Sequence, residues 1–345
     1  MTPLATHEVS ADTPTSQTDA RTARAQGLRR LVDGTPVLQL VVLIIVFIIA
    51  ATTISGFLSK SSIYSVLVLA AFLGIAAAGQ TLVILIGGLD LSVASIISAA
   101  DLVAPVLMGA HWSPGIAIPV VIIGGAAIGA LNGFIVRRWR VSPLIVTLAM
   151  GGIVYGVALA GTDSGLKPGI MPEWLTRFSS PIGTTFGIGI PPVVIAWAVL
   201  AIVLGVVLHR TITGRRVYAT GANQRAADLA GISTLRVWVG AFALSGAVAA
   251  ATGVLLDGFI SAASTGAGSP YMFTSLAAVV VGGTSLVGAR GDYWRTVLGA
   301  LILTLITTIL IGHGAGEALE EAAYGFLILV FVGVYGRERR VRDQV

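Results

Sequence analysis

Between residues 37 and 336, long apolar runs alternate with short polar ones, and the runs have the length of membrane spans. About 20 predominantly apolar residues cross a hydrocarbon core. On that basis ten segments stand out: 37–57, 63–86, 91–108, 115–136, 144–160, 190–208, 237–256, 272–283, 297–311 and 322–335. The eighth is too short to span unaided, so its flanks extend it or it is a half-helix. The predicted fold is an all-α polytopic membrane protein of about ten transmembrane helices, including broken or short ones. It comprises a polar arm at 1–36, a transmembrane region at 37–336 and a short basic tail at 337–345.

One interruption differs from the others. The second run stops at Gly87-Gly88, Asp90 follows, and the third run starts at Leu91-Ser92. Unwound backbone and a charge survive at membrane depth only when buried in protein or facing water. The pattern predicts a helix broken beside a polar path, with Gly87, Gly88, Asp90 and Ser92 lining it. A structural alternative is that Asp90 caps the helix starting at Leu91.

Small residues recur at four-residue spacing in Gly125/Gly129/Gly133, Gly152/Gly156/Ala160 and Ser245/Ala249/Gly253. This spacing lets helix backbones approach closely where lipid gives no hydrophobic drive for association.

Charge sets the orientation. With the N-terminus inside and ten crossings, 18 of the 21 lysines and arginines fall on the cytoplasmic side, and only Lys60, Lys167 and Arg177 fall outside. Both termini are therefore expected in the cytoplasm. The net charge of +5 reflects this sorting and does not indicate nucleic acid. Composition agrees, with 55% hydrophobic and 11% charged residues and a mean hydropathy of +0.92. Arg29 and Arg30 before an apolar run also suit a signal peptide, but the run exceeds a signal core in length.

The chain has no cysteine, and its four histidines lie in separate segments, so no metal site is expected. No Gly-x-x-x-x-Gly-Lys-[Ser/Thr] loop occurs, so the chain is not an ATPase, and no catalytic arrangement indicates an enzyme.

Two loops carry candidate contacts. The cytoplasmic connection 209–236 contains a two-turn helix, with Asn223 as N-cap and Gly231 at the C′ position. A helix this short needs a partner surface, either a docked protein or the lipid headgroups. Outside, the long loop 161–189 carries Lys167, Trp174 and Arg177. Together with Glu317 and Glu320 these mark a candidate docking surface or a mere lid on the bundle.

Gly87-Gly88-Leu89-Asp90-Leu91-Ser92-Val93 resembles the Gly-Gly-Ile-Asp-Leu-Ser-Val motif of ribose-type ABC importer permeases. Val217 to Asn223, continuing through Ala226-Ala227 to Gly231-Ile232, is similar to the coupling segment of that family. Leu131-Asn132-Gly133, Pro143 to Leu148, and Val281 to Leu286 with Gly288 and Gly291 also match. The resemblance implies a non-catalytic permease subunit paired with a second permease. It further implies two ATP-binding subunits that hold ATP and Mg, and an extracytoplasmic solute-binding protein delivering a monosaccharide or related polyol. In those terms Gly87, Gly88, Asp90, Ser92, Asp101 and Asn132 line the pathway. Gly221, Asn223, Arg225, Ala226, Ala227, Leu229 and Gly231 couple to the ATPase.

Asp101 departs from the family pattern, which usually has a small residue there. A mid-span Asp costs at least about 2.5–3.5 kcal/mol and should face the bundle. Asp90 and Asp101 are 11 apart, close to three turns, and share a face if one helix holds both. Ala222 also departs, where a glycine is expected. The alternative function is an ion-coupled secondary transporter of a small polar solute, with Asp90 and Asp101 carrying protons or sodium.

Overall fold

The computed structural model describes residues 36–163, 169–185, 187–316, 318–320, 322–326 and 329. Contacts divide the chain into Met1–Leu38 and Gln39–Val345, and the helical bundle lies in the second. Apart from Pro36, the arm and tail of the sequence reading lie outside the described residues, as does most of the tenth segment.

Twelve bounded helices are present among the described residues: α1 (Val37–Thr53), α2 (Lys60–Leu85), α3 (Val93–Gly109), α4 (Pro114–Trp139), α5 (Pro143–Asp163), α6 (Glu173–Ser179), α7 (Pro192–Arg210), α8 (Ile212–Ala222), α9 (Gln224–Leu229), α10 (Thr234–Ile260), α11 (Tyr271–Val281) and α12 (Tyr293–Gly312). Residues 322–326 of the tenth segment are also helical. Six of the helices are long and apolar enough to cross a membrane, and α1, α3 and α11 are shorter apolar helices. The eighth segment is thus an 11-residue helix, as its length required.

Helix α2 is the axis of the bundle, and 89% of its most apolar stretch is buried. Helices α10, α12, α11 and α7 pack around it. Small residues permit this. A Cβ at Gly79 would lie 2.4 Å from the Ser245 Cα. A polar chain crosses the interior where water is excluded. Trp197 Nε1 donates to the Tyr293 hydroxyl at 3.0 Å, and that hydroxyl donates to the Gly74 carbonyl at 2.6 Å. Thr81 and Thr296 hydroxyls pair at 2.9 Å, tying α2 to α12.

The glycine stripes divide. Cβ atoms at Gly125, Gly129 and Gly133 would come within 2.5, 2.0 and 2.6 Å of α10 backbone, so α4 and α10 touch main chain to main chain. Gly253 lies equally close to the Ile97 carbonyl of α3. Gly152 and Gly156 of α5 meet nothing within 4 Å among the described residues, so there that stripe does not mediate packing.

The Gly87-Gly88 turn separates α2 from α3, where the glycine pair predicts an interruption. Helix α2 has 26 residues before the turn. At 1.5 Å per residue it spans about 39 Å, more than the hydrocarbon core of about 30 Å. The turn therefore closes a full-length helix. Gly87 takes φ +83°, its N–H bonds the Ile84 carbonyl at 2.9 Å, and Gly88 N–H bonds the Val83 carbonyl at 2.8 Å. This is a Schellman ending. The same ending recurs at α11, where Gly283 takes φ +90° and Gly283 and Thr284 bond back to Val280 and Val279. The two glycine pairs thus end their helices in the same way.

Candidate functional site: the turn after α2 and the helix at the basic end

Helices α4 and α7 end, and α10 begins, at the end of the bundle that carries Arg137, Arg138, Arg210 and Arg236. Two polar constructions meet there.

The first holds the turn after α2. Asp90 is buried, and its carboxylate accepts from Ser92 N–H at 3.1 Å, from the Ser92 hydroxyl at 2.5 Å and from the Ser245 hydroxyl of α10 at 2.8 Å. Asn132 of α4 donates to Ser92 Oγ at 2.9 Å. Thr147 of α5 accepts from Leu91 N–H at 3.1 Å. The Asp90 carboxylate thus joins the turn to α10, Ser92 joins it to α4, and the Leu91 N–H joins it to α5. Helix α3 starts at Val93 with Ser92 as its N-cap residue, so Asp90 does not cap a helix at Leu91. It folds the turn from two residues upstream. Asp90 also lies outside α3, so no single helix carries both Asp90 and Asp101.

Asp101 sits in the middle of α3, fully buried, accepting from the Ser264 N–H at 2.7 Å. Its other oxygen has no hydrogen-bond partner among the described residues, and neither has one oxygen of Asp257 on α10. Asp101 lies in a cluster separate from the Asp90 network. Asp257, two-percent exposed, carried no sequence signal beyond being an acid in a span.

The second construction is α9. Asn223 caps it, accepting from Ala226 N–H at 3.0 Å. Gly231 takes φ +80°, and its N–H and that of Ile232 bond back to Asp228 and Ala227, so both predicted caps are present. Ala227 is buried against the bundle while Leu229 is 84% exposed, and Arg225 and Ala226 are exposed beside it. Asp228 anchors the helix to two spans. It pairs with Arg137 at the end of α4 and accepts from the Thr234 hydroxyl of α10 at 2.6 Å. Arg137 Nε also donates to Thr234 at 2.7 Å. The Thr234 hydroxyl first, and the Arg137 guanidinium with it, hold the Asp228 carboxyl below its ordinary range. The sequence reading missed this clamp, and it missed α8. Helix α8 is polar and short, and Thr211 caps it through Gly214 N–H at 3.3 Å.

The two constructions touch through bare backbone. A Cβ on Gly221, near the end of α8, would lie 1.9 Å from the Leu85 carbonyl oxygen and 2.8 Å from Ala289 N. Ala289 N–H itself bonds the Leu85 carbonyl at 2.9 Å. Tyr218 of α8 donates to the Gly291 carbonyl at 2.8 Å. The end of α2, the loop after α11 and the chain entering α9 form a three-way backbone joint, and only glycine fits at 221.

In the connection 161–189, α6 is an added helix in what the sequence read as a loop. Leu175 and Ser179 are buried, and Gly258 of α10 lies against Leu175. Trp174 is 56% exposed, and Arg177 pairs with Glu173 at 2.6 Å. Glu320 lies in the short helical stretch 318–320. Lys167 and Glu317 lie outside the described residues.

A family model described as branched-chain amino acid transport system / permease component matches residues 62–334. The chain is 32% identical over 292 residues to ribose import permease protein RbsC of Haemophilus influenzae, covering 85% of this chain and 90% of that protein. It is 32% identical over 285 residues to L-arabinose ABC transporter permease protein AraH of Azospirillum brasilense, covering 81% of each. Fructose import permease protein FrcC of Rhizobium meliloti is 32% identical over 327 residues, covering 90% and 88%. No solved structure matches. With the membrane-length helices, the capped α9 and a match over nearly the whole bundle, the chain belongs to the family of branched-chain amino acid transport system permease components.

Proposed function

We propose that this chain is the multi-pass permease subunit of an ATP-driven importer for a monosaccharide or related polyol. It lies in the bacterial inner membrane with both termini in the cytoplasm. A second permease pairs with it, two ATP-binding subunits dock at the basic end and a solute-binding protein delivers cargo at the other. The names of the ribose, arabinose and fructose relatives support the cargo class. The observation that carries the reading is α9, a capped six-residue helix clamped to α4 and α10 and presenting Leu229 to solvent. An ion-coupled carrier needs no such element, so α9 favours the ATP-driven reading.

In this reading Gly221, Asn223, Arg225, Ala226, Ala227, Leu229 and Gly231 form the coupling element. Gly87, Gly88, Asp90, Ser92 and Asn132 border the inner part of the route, and Asp101 borders the outer part. Buried hydroxyl and carboxylate groups suit a hydroxyl-rich solute, which exchanges hydrogen bonds as it passes. Trp174 and Arg177 on α6, with Lys167, Glu317 and Glu320, form the platform for the binding protein. ATP and Mg belong to the partner subunits.

The test is Leu229→Asp. The side chain is exposed, so folding and insertion should be preserved. Uptake and binding-protein-stimulated ATP hydrolysis should both be lost in the assembled transporter. Normal uptake by a fully expressed variant would remove α9 from the coupling role.

A further inference from the structure

A cavity of about 350 Å³ lies between α7, α8 and α10 at the basic end, apart from the Asp90 network and bordered by Gly231 at the end of α9. Its size is that of a small-molecule site. Leu204, Val207 and Leu208 of α7 make one wall, Val237 and Leu244 of α10 the other, and Leu82 of α2 the floor. Arg216 of α8 and Arg236 in the first turn of α10 stand at the mouth beside Ser233. Both arginines are exposed, and neither guanidinium is in an ion pair among the described residues. The slot also opens sideways. Leu244 is 37% exposed, and a Cβ on Gly240 would meet nothing within 4 Å.

An aliphatic slot with two free cations at its mouth matches a molecule with a hydrocarbon tail and an anionic head. A polyol fits badly, because these walls leave its hydroxyls without partners. We propose that the slot binds an anionic phospholipid, with one acyl chain between α7 and α10 and the phosphate at Arg216 and Arg236. Arg138 and Arg140 line a neighbouring cavity that shares Ser233 and holds the Arg137–Asp228 pair, so two further cations stand near the headgroup position. The inference rests on the basic end lying at a membrane surface and is independent of the cargo.

The test uses the assembled transporter in detergent, with phosphatidylglycerol and phosphatidylcholine added in equal amounts and retained lipid read by native mass spectrometry. Phosphatidylglycerol should be retained selectively. Replacing both phosphate-facing charges, Arg216→Ala with Arg236→Ala, should lower its retention about thirtyfold. Leu244→Trp, which blocks the side opening, should lower it too. Arg210→Ala, a charge at the same end that does not line the slot, should leave it unchanged. Equal retention of the two lipids, no effect of either slot variant, or an equal loss in Arg210→Ala would overturn the proposal. So would a crosslink from Leu244→Cys to an ATP-binding subunit or a second permease, which would give the slot to a protein.

Discussion

Replacing Gly221 with alanine tests whether the joint between α8 and the end of α2 transmits motion. The added methyl would start 1.9 Å from the Leu85 carbonyl oxygen, and both nearest contacts are backbone, so no side chain can swing aside. Restoring even a tight contact of about 3 Å separates the two main chains by about 1 Å. That movement strains the bond from Ala289 N–H to the same carbonyl. Overpacking costs about 1–3 kcal/mol and a lost hydrogen bond about 1 kcal/mol. The joined arrangement thus loses at least about 2 kcal/mol, a factor of about thirty. Asn223, the cap of α9, is two residues away and moves with the joint. Binding-protein-stimulated ATP hydrolysis and uptake should fall together in reconstituted transporter, while basal hydrolysis and membrane insertion persist. The thermal midpoint should drop as well. Gly152→Ala, on an open helix face, provides the matched control. Wild-type midpoint and stimulated hydrolysis in Gly221→Ala would refute the joint.

Two further expectations follow from the polar networks. Asp90→Leu should lower the thermal midpoint well below that of Asp90→Asn, because it strips the acceptor from Ser92 N–H, Ser92 O–H and Ser245 O–H at about 1–3 kcal/mol for each donor left buried; equal midpoints would refute the carboxylate's role in folding the turn. The lowered Asp228 pKa makes its stabilisation of α9 complete above the unfolded value of about 3.9 and lost as pH falls through the folded one, so intrinsic-rate-corrected hydrogen exchange across 224–234 should stay constant from about pH 8 to 5 and rise only below about pH 4, and loosening that begins near pH 6 would refute the clamp.

Much of this architecture was written in local pattern. Apolar runs located the spans because each helix is long and its boundaries are polar. The Asn223 and Gly231 caps were legible because capping is a contact within a few residues. What escaped depended on distant partners. Nothing near Asp90 announces Ser245, 155 positions away. Nothing near Gly221 announces Leu85, since the contact involves only main chain. Helix α8 is too polar to register as a span, and α6 is seven residues held by α10. The glycine pair at 87–88 was correctly marked as a stop.

The burial of α2 also has a consequence for how the protein is made. This helix leaves the ribosome second, yet the surfaces that cover it belong largely to α10 and α12. Thr81 waits for Thr296, 215 residues further along. At about 5–20 residues per second that interval is roughly ten to forty seconds. Throughout it, a helix built for a protein interior stands in lipid with Gln80 and Thr81 uncovered. A nascent chain that stalls before α10 therefore displays polar groups to the bilayer, the kind of surface by which membrane proteases and insertases recognise unfinished proteins. The most deeply buried of the described membrane-length helices thus gains its cover only when α10 and α12 follow it.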